Sequence, residues 1–328
     1  MKKWTPQDMP DLSGKSAVIT GANSGIGFEV ACELAKHGCA VVMACRDLEK
    51  AKISQQKLLC LVPNAEVDVA LLDISDLSSV RAFAEEFTRH HNSLSLLINN
   101  AGVISLPYSK TKDGIETVFA TNYLGHFALT NYLFPLLARD TNARILMTSS
   151  LYHKQGHLDI NNLQSSKDHY NKMQAYANSK IACLLFTEEL HRRLEAAHLP
   201  IKSVAAHPGW AKTHILLAEP EKNHAHCKKF FFSLGMSLFA QSAEKGAYPV
   251  LYAATSPEVN CGDYYGPDGF KEMQGYPKLL HALGQVYDAK LAQQLWKQSE
   301  QLIGNNFIVA APESQDYLEN YTQRKPNV

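Results

Sequence analysis

Through the first two thirds of the chain, short β-branched and apolar runs alternate with stretches in which apolar residues recur every three to four positions. The runs predict strands at Lys15–Thr20, Ala40–Cys45, Glu66–Leu72, Ser95–Ile98, Arg144–Thr148 and Lys202–Ala206. The longer-period stretches predict helices near Gly25–His37, Leu48–Leu61, Leu77–His91, Asp113–Ala138 and Ala177–His198. A short apolar run bounded by turn residues fits a strand covered on both faces, and a 3.6-residue period fits a helix with one face on a core. Strands separated by helices of this length imply βαβ units with right-handed crossovers. The expected α/β fold is therefore one doubly wound parallel sheet with helices on both faces, its ligands at the carboxyl ends of the strands.

Three segments exceed what such a sheet needs: Leu151–Ala175, His214–Ala240 and the tail after Tyr276, which has a helical pattern near Asp288–Leu302 and a polar end. The unbroken alternation predicts one domain over 1–275, including a lid at 214–240, with a helical extension over 276–328 packed on it. Composition narrows the setting. The chain is 45% hydrophobic and 20% charged, with 32 acids and 32 bases, and such a balance argues against a nucleic-acid surface, which needs an excess of Lys and Arg. No run approaches the roughly 18 apolar residues of a membrane span. The start, "MKKWTPQDMPDLSGK", lacks the apolar stretch of a secretory signal. Seven scattered cysteines without a C-x-x-C pair predict free thiols in a reducing, cytoplasmic location.

The chemistry is carried by motifs at the strand ends. "TGANSGIG" (Thr20–Gly27) follows the first strand and opens the first helix, its three glycines spaced G-x-x-x-G-x-G. Glycines there permit a tight turn and close backbone approach, and a helix N-terminus favours a pyrophosphate, as in Rossmann-type folds. Asp73 ends the third strand, where its carboxylate suits either an adenine amino group or a helix cap. "NNAG" (Asn99–Gly102) offers cofactor contact or a simple Asx turn. Ser149 and Ser150 end the fifth strand, placed to hold a carbonyl or to bond local backbone. Tyr176 and Lys180 lie four residues apart on one helix face. A phenol titrates near 10, and a nearby ammonium is expected to pull that value down. "HPGWAKT" ends the sixth strand, with Pro208 and Gly209 breaking regular structure and Thr213 in reach of a nicotinamide amide.

In this order and at these strand positions, the Thr20-Gly-x-x-x-Gly-x-Gly27 motif, Asp73, Asn99–Gly102, Asn122, Ser150, Tyr176-x-x-x-Lys180 and Pro208–Gly209 resemble the short-chain dehydrogenase/reductase family over roughly Leu12–Gly269. "ACRD", "TNYLGHFALT" (Thr121–Thr130), "LFTEELHRRL" (Leu185–Leu194) and "GDYYGPDGF" (Gly262–Phe270) are similar to its retinol-dehydrogenase-like branch. The resemblance implies an NADP(H)-dependent carbonyl reductase or alcohol dehydrogenase for a small lipophilic substrate, with reduction of a C=C bond or a non-catalytic nucleotide sensor as the alternatives. Tyr176 would be general acid or base, Lys180 would bind the ribose and depress the Tyr176 pKa, Ser150 would orient the carbonyl, and Asn122 would hold a relay water. The implied cofactor set is Gly21, Asn23, Ser24, Gly25, Ile26, Gly27, Arg46, Asp73, Ile74, Asn100, Ala101, Gly102, Tyr176, Lys180, Pro208, Gly209 and Thr213. Ser150 and Tyr176 are 26 positions apart, further than in many members, and the added Leu151–Ala175 segment is expected to loop over the site entrance.

Cofactor choice falls on "VVMACRDLEK". NAD users of this family usually end the second strand with an acid that bonds the ribose hydroxyls. Here Cys45 holds that position and Arg46 follows, its fork of donors suited to a 2′-phosphate, while Asp47 suits a helix N-cap. "HCKKFFFSLGMSLFA" (His226–Ala240) reads as a lid over a lipophilic pocket, with weak membrane contact through 228–240 as the competing reading. His224, His226 and Cys227 lack a second ligand pair at zinc spacing, so no metal is expected. The apolar stripe Ile181, Leu184, Leu185 and Leu190 fits either core or the subunit interface of a homodimer or homotetramer.

Overall fold

The computed structural model describes residues 3–210, 241–282 and 284–311. Eight strands form one sheet in the order β3-β2-β1-β4-β5-β6-β7-β8. They are β1 (Ser16–Thr20), β2 (Ala40–Cys45), β3 (Val67–Leu71), β4 (Leu96–Asn99), β5 (Arg144–Thr148), β6 (Lys202–Ala206), β7 (Tyr264–Pro267) and β8 (Pro277–Leu280). The first seven run parallel, and β8 pairs antiparallel with β7. The chain builds outward from β1 to β3, then crosses back to place β4 on the other side of β1. That reversal opens a crevice at the carboxyl ends of β1 and β4.

Helices cover both faces, each contributing its apolar stripe to one of two cores. One core holds α1 (Gly25–Lys36), α2 (Leu48–Leu61) and α7 (Ala243–Thr255) through residues such as Val30, Leu34, Leu58 and Leu251. The other holds α3 (Leu77–His90), α5 (Gly125–Leu137), α6 (Lys172–Ala196) and α8 (Ala289–Ile303) through Phe83, Phe127, Phe186 and Trp296. The central strands β1, β4, β5 and β6 carry near-continuous apolar sequence because both of their faces are buried.

The six predicted strands all form, within a residue or two at their ends. Two others, β7 and β8, escaped the pattern: "YYGP" and "PKLL" are four residues each and carry glycine or proline that reads as turn. The segment beyond 275 therefore supplies the antiparallel edge strand as well as a helix. Helix α7 was also unforeseen, since Gly246 and Pro249 lie inside it. The helix expected over Asp113–Ala138 starts later, at α4 (Thr117–Phe119), capped by the Glu116 carboxylate on the Val118 and Phe119 amides. It then passes through a π-helical turn at Ala120–Leu124 before α5 begins. Helix α6 starts a turn earlier than its apolar pattern, because the Asn171 side chain caps the Met173 and Gln174 amides.

The stripe of Ile181, Leu184, Leu185 and Leu190 is core. Trp296 of α8 stacks on Phe186 with ring centroids 5.7 Å apart, and Phe307 stacks on Trp296 at 4.7 Å. The chain's own tail thus covers this part of the α5–α6 face. No helix among the described residues is long and apolar enough to cross a membrane.

Candidate active site

A cleft of about 550 Å³ opens at the carboxyl ends of the strands. Its floor begins at the turn after β1, where Gly21 and Gly25 hold φ of +66° and +57°, a conformation that side chains disfavour. At Gly27 a Cβ would sit 2.5 Å from the Gly21 carbonyl oxygen and 2.6 Å from Asn100 Nδ2, so only glycine lets α1 start this close to the next strand's loop. No side chain caps α1 at Ser24 and no acid lies in its first turn. Its amide donors and positive end therefore remain available to an anion in the cleft, which suits a dinucleotide's pyrophosphate.

The adenosine side is shaped by three strand ends. Cys45 is buried, its thiol pushed up to about 11 by burial, and provides no carboxylate to the cleft. Arg46 is exposed on the cleft wall. Asp47 accepts the Lys50 amide at 3.1 Å and is the N-cap of α2, as its position predicts. Asp73 lines the cleft and accepts the Ser75 amide and hydroxyl, at 3.0 and 2.7 Å. The cap of α3 is Asp76, which leaves Asp73 outside that role.

The loop after β4 is tied to β1 through one hydroxyl. Asn100 and Ala101 amides donate to Thr20 Oγ1 at 2.8 and 2.9 Å. Those bonds fill the acceptor side of the hydroxyl, so it donates to His126 Nε2 at 3.0 Å. The other ring nitrogen then donates to the Asn122 carbonyl at 3.2 Å. His126 is buried, and burial holds its pKa down at about 3, which keeps the ring neutral as this chain of bonds requires. The sequence reading did not include Thr20 and His126 among the site residues. Their signals were a hydroxyl just before Gly21 and a histidine one helical turn beyond Asn122.

On the opposite side lie Ser150, Tyr176 and Lys180, all lining the cleft. Both serines line the cleft, but the Ser149 hydroxyl is committed to the Lys180 carbonyl at 3.1 Å, so of the two it is Ser150 whose hydroxyl meets Tyr176. Lys180 is buried, donates to the Thr148 carbonyl at 2.8 Å, and lies 5.8 Å from the Tyr176 ring centre. Burial lowers the Lys180 pKa. The expected depression of Tyr176 is not met: desolvation pushes its phenol up to about 12, against a hydrogen bond from Ser150 that lowers it. Removal from water outweighs the neighbouring groups in this arrangement.

Asn122 does not line the cleft itself but sits just behind it in the π-turn. Its amide accepts Val103 N at 2.7 Å and donates to Val103 O and Ser179 Oγ, each at 2.9 Å. A Cβ on Gly102 would lie 3.2 Å from Asn122 Oδ1 and 3.6 Å from Lys180 Nζ, so both residues meet at that glycine. Thus Gly21, Asn23, Ser24, Gly25, Ile26, Gly27, Arg46, Asp73, Ile74, Asn100, Ala101, Gly102, Pro208 and Gly209 join Ser150, Tyr176 and Lys180 around one cleft. Thr213, the 214–240 lid and the His224–Cys227 cluster lie outside the described residues. Val103, Ile104, Leu151, Tyr152 and Trp210 add an apolar part to the wall, alongside polar residues that include Thr121, Thr148 and Gln155. Of the long segment after Ser150, only Leu151, Tyr152 and Gln155 reach the cleft. Its later part packs elsewhere, with Leu158 bonded to Gln285 and Tyr170 to Glu116.

The chain is similar to known proteins in sequence and fold. Residues 15–224 match the short chain dehydrogenase family model. Retinol dehydrogenase 14 of Mus musculus is 38% identical over 312 residues, covering 89% of this chain and 87% of that protein. Retinol dehydrogenase 13 of Homo sapiens is 36% identical over 300 residues, covering 89% and 86%. Among solved structures, an uncharacterized protein from Mycobacterium paratuberculosis is 36% identical, with a TM-score of 0.77 over 94% of this chain and all of its own. A short chain dehydrogenase from Shigella flexneri, solved in complex with NADP, shares the fold at 18% identity and a TM-score of 0.61, covering 78% of this chain and 98% of its own. With its glycine-turn helix, its Tyr–Lys pair and these relatives, the chain belongs to the short-chain dehydrogenase family and is an oxidoreductase of its retinol-dehydrogenase-like branch, a branch that works with a nicotinamide cofactor.

Proposed function

We propose that the protein interconverts an aldehyde or ketone and its alcohol, with NADP(H) as the cofactor and a small lipophilic molecule as the substrate. The observation that carries this reading is the meeting of Ser150, Tyr176 and Lys180 in the same cleft as the uncapped N-terminus of α1. When bound, the cofactor supplies or accepts the hydride. Every other element of the reaction belongs to the chain. The Ser150 hydroxyl holds the substrate oxygen beside Tyr176, and the Tyr176 phenol donates its proton to that oxygen as negative charge develops. A phenol near 12 is protonated at neutral pH and ready for reduction. In alcohol oxidation Tyr176 must first lose that proton, so the reverse direction gains with rising pH. The Lys180 ammonium keeps donors for ribose hydroxyls beyond its bond to Thr148. Asn122, close by at Gly102, suits the relay that returns protons to Lys180.

The apolar wall of Val103, Ile104, Leu151, Tyr152 and Trp210 supports a lipophilic substrate, as do the names of the retinol dehydrogenase relatives. Cys45 in place of an acid, with Arg46 exposed beside it, supports NADP(H). The test is NADPH oxidation across lipophilic aldehydes, ketones and quinones. Tyr176→Phe is expected to lower kcat by about 10²–10⁴-fold, the usual worth of a positioned acid, while NADPH still binds. Turnover by Tyr176→Phe at the wild-type rate would sink the assignment.

A further inference from the structure

The loop joining β7 to β8 does not line the cleft, yet it holds an arrangement that loops rarely tolerate. Lys271 and Glu272 follow one another with φ of +49° and +58°. Residues with a Cβ avoid this left-handed region, and consecutive ones persist only where surrounding contacts fix them. The contacts here converge on the Glu272 carboxylate. Oε1 accepts from Lys154 Nζ at 2.7 Å, and Oε2 lies 3.5 Å from Nε2 of the buried His207. Among the described residues neither of those last two atoms makes a hydrogen bond, so at this separation they meet as a long polar contact. His207 Nδ1 accepts the Gly209 amide at 3.1 Å, which leaves the ring proton on Nε2, facing the carboxylate. The next residue adds a second tie. Met273 O accepts the Trp210 amide at 2.7 Å and fills the space a Cβ on Gly209 would need, 2.4 Å away.

Each partner belongs to a different wall of the cleft. Lys154 lies in the turn Leu151–Gln155, which supplies Leu151, Tyr152 and Gln155 to the lining. The neighbouring His153 donates to the Ser150 carbonyl at 2.7 Å, so this turn also fixes the backbone of the serine. His207 starts the loop after β6, which supplies Pro208, Gly209 and Trp210. We infer that Glu272 is a positioning residue for the reaction proposed above: its one carboxylate ties the turn behind Ser150 to the His207–Trp210 loop and sets how the two walls face each other. Resting on that reading, the inference assigns a task to the loop just after the "GDYYGPDGF" segment that no contact with substrate or cofactor explains.

Two glycine variants separate this role from general stability. Lys271→Gly and Glu272→Gly each relieve one left-handed residue, but only the second removes the carboxylate. Lys271→Gly is expected to keep wild-type kcat. Glu272→Gly is expected to lose about 10-fold or more, since small misplacements of reacting groups are costly. Its thermal midpoint should stay within a few degrees of wild type. Lys154→Met added to Glu272→Gly should cost little more, because the tie is already cut. Hydrogen exchange on the same proteins reads the positioning without any substrate. Amides at 151–156 and 207–210 should exchange at least about 10-fold faster in Glu272→Gly and unchanged in Lys271→Gly. Unaltered exchange in both loops, or a Glu272→Gly kcat equal to that of Lys271→Gly, overturns the inference. If wild-type protein turns over none of the substrates, the proposed reaction fails while the exchange result still decides the role of Glu272.

Discussion

The proposed choice of NADP(H) rests on single side chains at the end of β2. Arg46 and Asp47 are adjacent charges with separate work: Asp47 is committed to the first turn of α2, which leaves Arg46 exposed on the cleft wall. A charge-assisted bond to a phosphate contributes roughly 1.5–3 kcal/mol. Arg46→Ala is therefore expected to weaken NADPH binding by about 10- to 100-fold and leave NADH binding nearly as it was, as fluorescence titration of the two cofactors would read. An Arg46→Ala variant with wild-type preference would remove the guanidinium from the explanation. Thr20 shows how much one hydroxyl can organise, since it takes two amides of the β4 loop and passes a bond to His126. The Thr20 role is not written in local sequence, because it depends on elements that meet only in the fold.

Among the elements, α8 braces a part of the site that it does not enter. Its apolar stripe is pinned by Trp296, 1% exposed, lying between Phe186 and Phe307 with the Arg193 guanidinium 4.2 Å from its ring centre. Tyr123, in the π-turn beside Asn122, bonds Ser299 of the same helix at 2.8 Å. The tail thereby supports the segment that carries a site residue. Truncating a buried Trp to Ala costs about 3–5 kcal/mol. Trp296→Ala is expected to lose stability of that order in urea denaturation. A loss under about 1 kcal/mol would mean that α8 is docked by something other than this ring.

At the scale of the whole molecule, three buried histidines set the acid limit. Burial lowers His126 to about 3 and His153 to about 4, and lowers His207 as well. In the unfolded chain all three take up a proton near 6.5. The unfolded state thus binds more protons below that pH, and stability present above 6.5 is lost as pH falls toward 4. Glu272, held down to about 2 chiefly by its bond to His207, adds a loss that begins below its ordinary value near 4.5. The thermal midpoint is expected to fall steadily from pH 6.5 to 4.5, as calorimetry would show. A midpoint unchanged over that interval would contradict neutral, buried rings.

The sequence by itself determined the parallel sheet of β1 to β6 and the line of motifs at its carboxyl edge. Both are local: buried strands must be apolar along their length, and the glycine turn, Asp73, Asn99–Gly102, Ser150 and Pro208–Gly209 sit at or just after strand ends. It also separated Asp47 from Arg46, because an N-cap is read within one turn. Tertiary structure decided the rest. β7 and β8 are short strands that exist because a neighbouring strand pairs with them. The π-turn at Asn122, the burial that raises Tyr176 rather than lowering it, and the tie from Glu272 to Lys154 and His207 arise from groups far apart in the chain. Desolvation and long-range hydrogen bonds depend on what the fold packs around a residue, and one residue's neighbours in sequence do not specify that.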